Sequence, residues 1–291
     1  MKGSSLLSLV VATSLSIPVF AQECRLDYGH EDLSELRLSD DYRLAYLEYG
    51  SGEPVVLIHG AVSDYRSWLY QIEDLRRDYR VIALSLRASF PNSLSQSPNT
   101  PAAETWSDAD DVIELIEHLS VGRVHLVGHS AGGRFALDIA VRRPDLLRSL
   151  ILEEPAGGTG EPPPEVQSLF ASVIEQIGRG ETRTAVRDFM NFVSGPGYFD
   201  SASGECQQML IDNAATLSMG QGLPGTTCAT AGTVQAPVLY IQGEISPLRD
   251  SPFEACLPPH DSVVISNASH GVHFDNPRQF NETVRDFIGR H

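Results

Sequence analysis

Lysine is nearly missing from this chain. Lys2 is the single one in 291 residues, so 38 Asp and Glu are opposed almost only by arginine and the formal charge is −17. Without the first 21 residues, 20 arginines remain against 38 acidic groups, a net of −18. Such a surface repels polyanions, which argues against nucleic acid or an anionic membrane as partner. There is no internal repeat and no low-complexity tract, so repeat architectures are set aside. The one extended apolar run, 6–20, is short for a membrane-spanning helix. The four cysteines lack zinc-site spacing, and no metal or cofactor is assigned.

What is present fits one α/β domain with an insertion, and the length suffices for a substantial core. At the N-terminus, Lys2 precedes the apolar run, and Val19-Phe20-Ala21 places small residues before a cut at Gln22. This reads as a secretory signal, 1–21, with a membrane anchor as the alternative. In an exported chain, the even number of cysteines predicts two disulfides among Cys24, Cys206, Cys228 and Cys256.

The most informative stretch is 124–133. Leu126 and Val127 predict a buried strand and 131–142 a helix, with Gly128-His129-Ser130-Ala131-Gly132 between them. A G-x-S-x-G between strand and helix is a nucleophile elbow. The tight turn strains the central residue, and the glycines avoid Cβ clashes where strand and helix approach. Ser130 Oγ then stands clear of the sheet at a helix N-terminus, where developing negative charge is favoured. An ordinary glycine-rich turn is the bland alternative. His129 is expected to point away into the core, though it is retained as a possible pocket residue.

On these residues the chain resembles an α/β-hydrolase-fold enzyme over roughly 40–290. The resemblance implies a mostly parallel sheet with helices on both faces, a helical cap insertion, and a nucleophile, an acid and a histidine in that order. Several strands agree: 42–49 alternates, 54–58 is a continuous apolar run, and 80–84, 148–152, 237–243 and 262–265 read as further strands. His59-Gly60-Ala61 matches the family's H-G and following oxyanion-hole residue, which makes the Ala61 and Ala131 N–H groups the implied oxyanion donors. His59 is expected to brace that loop. Trp68 is open between pocket and core. After 80–84 the family's glycine-rich loop is replaced by Ser85-Leu86-Arg87-Ala88-Ser89-Phe90, with Arg87 a candidate ion-pair partner and Phe90 a candidate pocket residue.

The commoner acid position would read G-x-x-D-P, but here it is Gly243-Glu244-Ile245-Ser246-Pro247. A hydroxyl cannot hold charge opposite an imidazolium. Glu153 and Glu154 follow the strand beside the nucleophile's, and a parallel neighbour ends at the same sheet edge. This resembles members such as the zearalenone-lactonase type, whose acid follows that strand. The nucleophile-to-acid offset in that subset matches the 24 residues from Ser130 to Glu154, so the resemblance implies Glu154 as the acid, with Glu153, Glu244 and Asp250 in reserve. In the last segment His270 fits the family frame of S-H, four residues, an acid, one residue and Pro, whereas His273 does not.

Residues 157–234 read as the cap, with helical spacing over 165–177, 181–193 and 205–219. A Cys206–Cys228 bridge would close a loop within it, leaving Cys24–Cys256 by default. The core would be 22–156 and 235–291. The expected activity is cofactor-free hydrolysis of a small-to-medium hydrophobic ester or lactone by Ser130, His270 and Glu154. Carbon–carbon bond hydrolysis or perhydrolysis on the same triad, and a non-catalytic ligand receptor, are the alternatives.

Overall fold

The computed structural model describes residues 23–92, 108–157, 163–219 and 227–291. The expected secretory signal lies outside them, as do 158–162 and 220–226 of the expected cap.

Among the described residues, eight strands form one sheet. They are β1 (Ser34–Arg37), β2 (Arg43–Gly50), β3 (Pro54–Ile58), β4 (Arg80–Leu84), β5 (Val124–His129), β6 (Leu147–Glu153), β7 (Val238–Gly243) and β8 (Asp261–Ile265). Their order is β1-β2-β4-β3-β5-β6-β7-β8. β2 alone among these strands runs against the rest, so β3 to β8 all finish at one edge.

The apolar runs sit in the middle because both faces there are covered. Strand alternation divides each run between two clusters. Val56 and Ile58 of β3, Ile82 and Leu84 of β4, and Leu150 and Leu152 of β6 face one way. They meet α2 (Asp108–Leu119) and α3 (Ala131–Arg142). Val55 and Leu57, Val81 and Ala83, and Ile151 face the other way, against α1 (Leu69–Leu75), α10 (Val272–Asp275) and α11 (Pro277–Ile288). Helix α11 starts where its sequence dictates: Asn276 accepts the Gln279 N–H at 3.2 Å, and Pro277 takes the first position, where no N–H is needed.

Between β6 and β7 the chain forms α4 (Pro164–Gly178), α5 (Thr182–Ser194), α6 (Tyr198–Ser201), α7 (Gly204–Asp212), α8 (Thr216–Met219) and α9 (Cys228–Ala231). Val173, Ala185, Val186, Phe189, Phe199 and Leu217 give this segment its own cluster, which closes over Val62. The single helix expected over 205–219 is two. Asn213 breaks it: its amide donates to the Met209 carbonyl at 2.7 Å and to Asp64 Oδ2 at 2.6 Å, and accepts the Phe90 N–H at 2.7 Å. A side chain thus takes a carbonyl that a continuing helix would use.

All four cysteines are bridged, but not as expected. The pairs are Cys24–Cys206 and Cys228–Cys256, with Cα separations of 5.0 and 4.7 Å. Helix α7 carries Cys206 to the N-terminal segment, where it packs with Met209, Leu26 and Phe274. Cys228 opens α9, and Ala231 of that helix packs into the sheet's main cluster together with Cys256. No helix among the described residues is long and apolar enough to cross a membrane.

Candidate active site

The β5–α3 turn holds Ser130 at φ 50° and ψ −116°, a conformation costly for a residue with a side chain. Its surroundings enforce it. The Ser130 N–H donates to the Glu153 carbonyl at 3.0 Å, and its own carbonyl accepts the Ala156 N–H at 2.8 Å. A Cβ on Gly132 would overlap the backbone carbonyls of Ile58 and His59, and one on Gly128 would overlap the Gly132 carbonyl. Strand and helix can approach this closely only with glycine at both positions.

At the end of β6, Glu154 has turned to φ 40° and is buried. Its Oε1 accepts the Gly243 N–H at 2.8 Å. Its Oε2 lies 2.7 Å from His270 Nδ1 and accepts the Ser246 hydroxyl at 2.6 Å. The carboxylate therefore comes from β6, and the position that usually supplies the acid supplies a donor to it instead. Of the reserve candidates, Glu244 accepts the Asn267 N–H at 3.0 Å and Asp250 pairs with Arg249 at 3.2 Å, both exposed. His270 stands on the turn after β8. There Asp275 accepts the Ser269 N–H at 2.7 Å and also its hydroxyl. Burial pushes the Asp275 carboxyl up, to about 6.

Glu153 makes a second pair. Both its oxygens lie 2.9 Å from His273 Nδ1, and Oε1 accepts the His273 N–H at 2.9 Å. Burial pushes Glu153 up, to about 7, and His273 down, to about 3. His129 lies between the two histidines, with ring centroids 4.9 Å from each. Burial lowers it to about 3, so it is neutral. Ligand atoms of His129, Glu153 and His273 lie within 4.8 Å of one another, a group that could hold a metal ion. Both Glu153 oxygens are already engaged by His273, so a cation would have to displace that imidazole proton.

Two cavities meet at Ser130. One, of about 80 Å³, is bordered by Ser130, His129, His270 and His273, and otherwise mostly by apolar side chains. The other, of about 100 Å³, is bordered by Ser130, Ala131, Phe135, Phe170 and Leu217. Ala61 and Phe189 border both. Ala61 and Ala131 thus flank Ser130, and the Ala131 N–H opens α3, where no earlier turn offers it a carbonyl.

Other expected residues lie elsewhere. Trp68 is fully buried in the α1/α11 face, its ring 4.1 Å from that of His273, and lines neither cavity. Its indole is large and the space under α11 is apolar, so it fills core. Phe90 lines neither cavity; the Arg66 guanidinium sits 4.1 Å over its ring. His129, expected to turn into the core, borders the first cavity and holds the His270 carbonyl, with Nε2 at 3.1 Å. His59 braces its loop: Nε2 accepts the Leu86 N–H at 3.0 Å and Nδ1 donates to the Gly60 carbonyl at 2.8 Å. Arg87 binds Asp111 at 2.6 Å and Asp40 at 2.7 Å.

Sheet order, elbow and acid–histidine pair together define a protein of the α/β-hydrolase fold. The sequence profile of the Alpha/beta hydrolase family matches residues 55–283, and the chain belongs to that family. Among curated proteins it is 26% identical to the dihydrolipoyllysine-residue acetyltransferase component of the acetoin cleaving system of Cupriavidus necator, over 90% of this chain and 72% of that one. It is 25% identical to epoxide hydrolase 3 of Xenopus tropicalis, over 92% of this chain and 81% of that one. Among solved structures, a thermophilic esterase from Thermogutta terrifontis superposes with a TM-score of 0.74 at 23% identity, over 89% of this chain and 98% of that one.

Proposed function

We propose that the protein is an exported serine hydrolase that cleaves a carboxylic ester or lactone through an acyl-enzyme. The observation that carries this is Ser130 on a strained elbow, bordering the same cavity as a His270 whose Nδ1 is held by buried Glu154. The Glu154–Nδ1 hydrogen bond leaves Nε2 as the base. Nε2 takes the Ser130 proton as Oγ bonds to the carbonyl carbon, and the carbonyl π pair moves onto oxygen, facing the Ala61 and Ala131 amides. Collapse expels the alcohol, which takes its proton from His270. Water then attacks the acyl carbon, gives its proton to His270, and the second collapse frees the acid and returns the proton to Ser130. In a lactone the alcohol stays tethered to the acyl group.

A relative is named an epoxide hydrolase, but opening an epoxide through an alkyl-ester intermediate uses a carboxylate nucleophile, and the elbow here carries serine. We further propose that 157–234 serves as a cap over the site and that 1–21 directs export, a reading the two disulfides support. The test is labelling by a fluorophosphonate together with p-nitrophenyl acetate and butyrate hydrolysis. Loss of both in Ser130→Ala is expected. No labelling of the wild type would favour the non-catalytic receptor.

A further inference from the structure

The first cavity has an unusual wall. The chain has four cysteines and four methionines. Four of these eight residues, Cys24, Cys206, Met190 and Met209, border this one cavity. The Cys24–Cys206 bridge packs directly with Met209, and Phe274 lies against that cluster. Phe274 and Phe189 border the cavity as well. Val193 and Leu210, also on this wall, bury any apolar group in proportion to its area. Sulfur is different: it is polarisable and makes favourable contacts at the edge of aromatic rings, and methionine adapts its shape to them.

The placement of the two cavities also divides the substrate. His270 borders the first and Ala131 the second. Resting on the acyl-transfer reading above, the group that receives the His270 proton is the leaving alcohol, so the alcohol half lies on the His270 side. We infer that the cavity bordered by Cys24, Cys206, Met190 and Met209 takes an aromatic alcohol group, so that the substrates are aryl or arylmethyl esters. The acyl half lies toward Phe135, Phe170 and Leu217, without sulfur.

The sign of the preference makes this testable. Cyclohexylmethanol carries more apolar surface than benzyl alcohol, so burial alone favours the saturated ring. Sulfur–aromatic contact favours the aromatic one, by roughly 3- to 10-fold if one or two contacts form. The first measurement is binding of benzyl alcohol and cyclohexylmethanol by calorimetry, which does not require turnover. The second is kcat/KM for benzyl and cyclohexylmethyl acetates beside methyl phenylacetate and methyl cyclohexylacetate. Benzyl alcohol is expected to bind more tightly, the benzyl ester to turn over faster, and the two methyl esters to differ little.

Met190→Leu with Met209→Leu, a nearly volume-conserving pair, should bring the benzyl preference to one or below while phosphonate labelling of Ser130 persists. A wild-type preference for the saturated ring overturns the inference, as does an aromatic preference unchanged in the double variant or found only in the acyl half. Aromatic binding without labelling would instead count against the acyl-enzyme reading and leave the cavity assignment standing.

Discussion

Moving the acid from one strand end to its neighbour tests the site most directly. Glu154 holds three hydrogen bonds, to the Gly243 N–H, the Ser246 hydroxyl and His270 Nδ1. Glu154→Gln keeps the shape, but its amide cannot stabilise an imidazolium and can present a donor to Nδ1, which favours the wrong tautomer. A working acid lost in this way costs on the order of 10³–10⁴ in kcat/KM. Ser246→Ala removes one charge-assisted bond worth about 1.5–3 kcal/mol. The Ser246 hydroxyl donates to Glu154 before and after the proton reaches His270, so only part of that reaches the barrier, and a fall of about 3- to 10-fold is expected. Ser246 Oγ already reaches the carboxylate that touches His270, so Ser246→Asp in the Glu154→Gln background should restore one to two orders of magnitude. The assay is p-nitrophenyl butyrate hydrolysis, with circular dichroism and active-site labelling to confirm folding. Glu154→Gln activity within a few-fold of wild type would refute the assignment. No recovery with Ser246→Asp would show that β7 cannot present a carboxylate to Nδ1.

Three further outcomes follow from the geometry. Gly132→Ala must push a Cβ into two backbone carbonyls that cannot rotate away, so a loss of about 2–4 kcal/mol in denaturant unfolding and of phosphonate labelling is expected; a variant of wild-type stability would sink the close-approach argument. The Cys24–Cys206 bridge spans 182 residues and Cys228–Cys256 spans 28. On the chain-entropy model these contribute roughly 5 and 3.5 kcal/mol, so serine pairs at the first should lower Tm more than at the second, and non-reducing peptide maps should show these linkages. Desolvation depresses the pKa values of half-buried His129 and buried His273 from 6.5 to about 3, so the stability they contribute is full above pH 6.5 and is lost as pH falls toward 3. His273→Gln should lose less stability than wild type across that window, and a parallel pH–Tm curve would contradict the burial argument.

Much of this was legible because it rests on local rules. The central strands read as strands from their apolar residues, and the elbow as G-x-S-x-G. What was not legible depends on side chains meeting across the chain. Nothing near position 213 announces that an asparagine will tie α7 to Asp64 and Phe90. The disulfide partners depend on where α7 and α9 come to rest, and α9 settles against the sheet's own cluster, not beside α7. Trp68 ends the short 3-10 helix that leads into α1 and Phe90 lies in the turn after β4, and residue type does not say which side of either faces a cavity. At Ser246 the sequence shows only a missing carboxylate, whereas in the structure its hydroxyl donates to Glu154 from the neighbouring strand end.

The paired glutamates show how a periodic rule settles what motif spacing leaves open. In β6, Leu150 and Leu152 face α2 and α3, while Ile151 faces α1 and α11. A period of two therefore sends Glu153 the way of Ile151, toward the segment following β8, where it meets His273. Glu153 still pairs with Ile241 in the sheet and cannot turn. Glu154 lies one residue past that pairing, and its positive φ breaks the alternation so that its carboxylate swings over the end of β7 to Gly243, Ser246 and His270. Two adjacent carboxylates thus serve two histidines three residues apart without competing. Exchanging their roles would require the strand to slip by one residue, which would turn every side chain of β6 to the opposite face. A Glu153→Gln variant should accordingly keep the Glu154–His270 pair and lose far less activity than Glu154→Gln; equal losses would mean that the two pairs work as one unit.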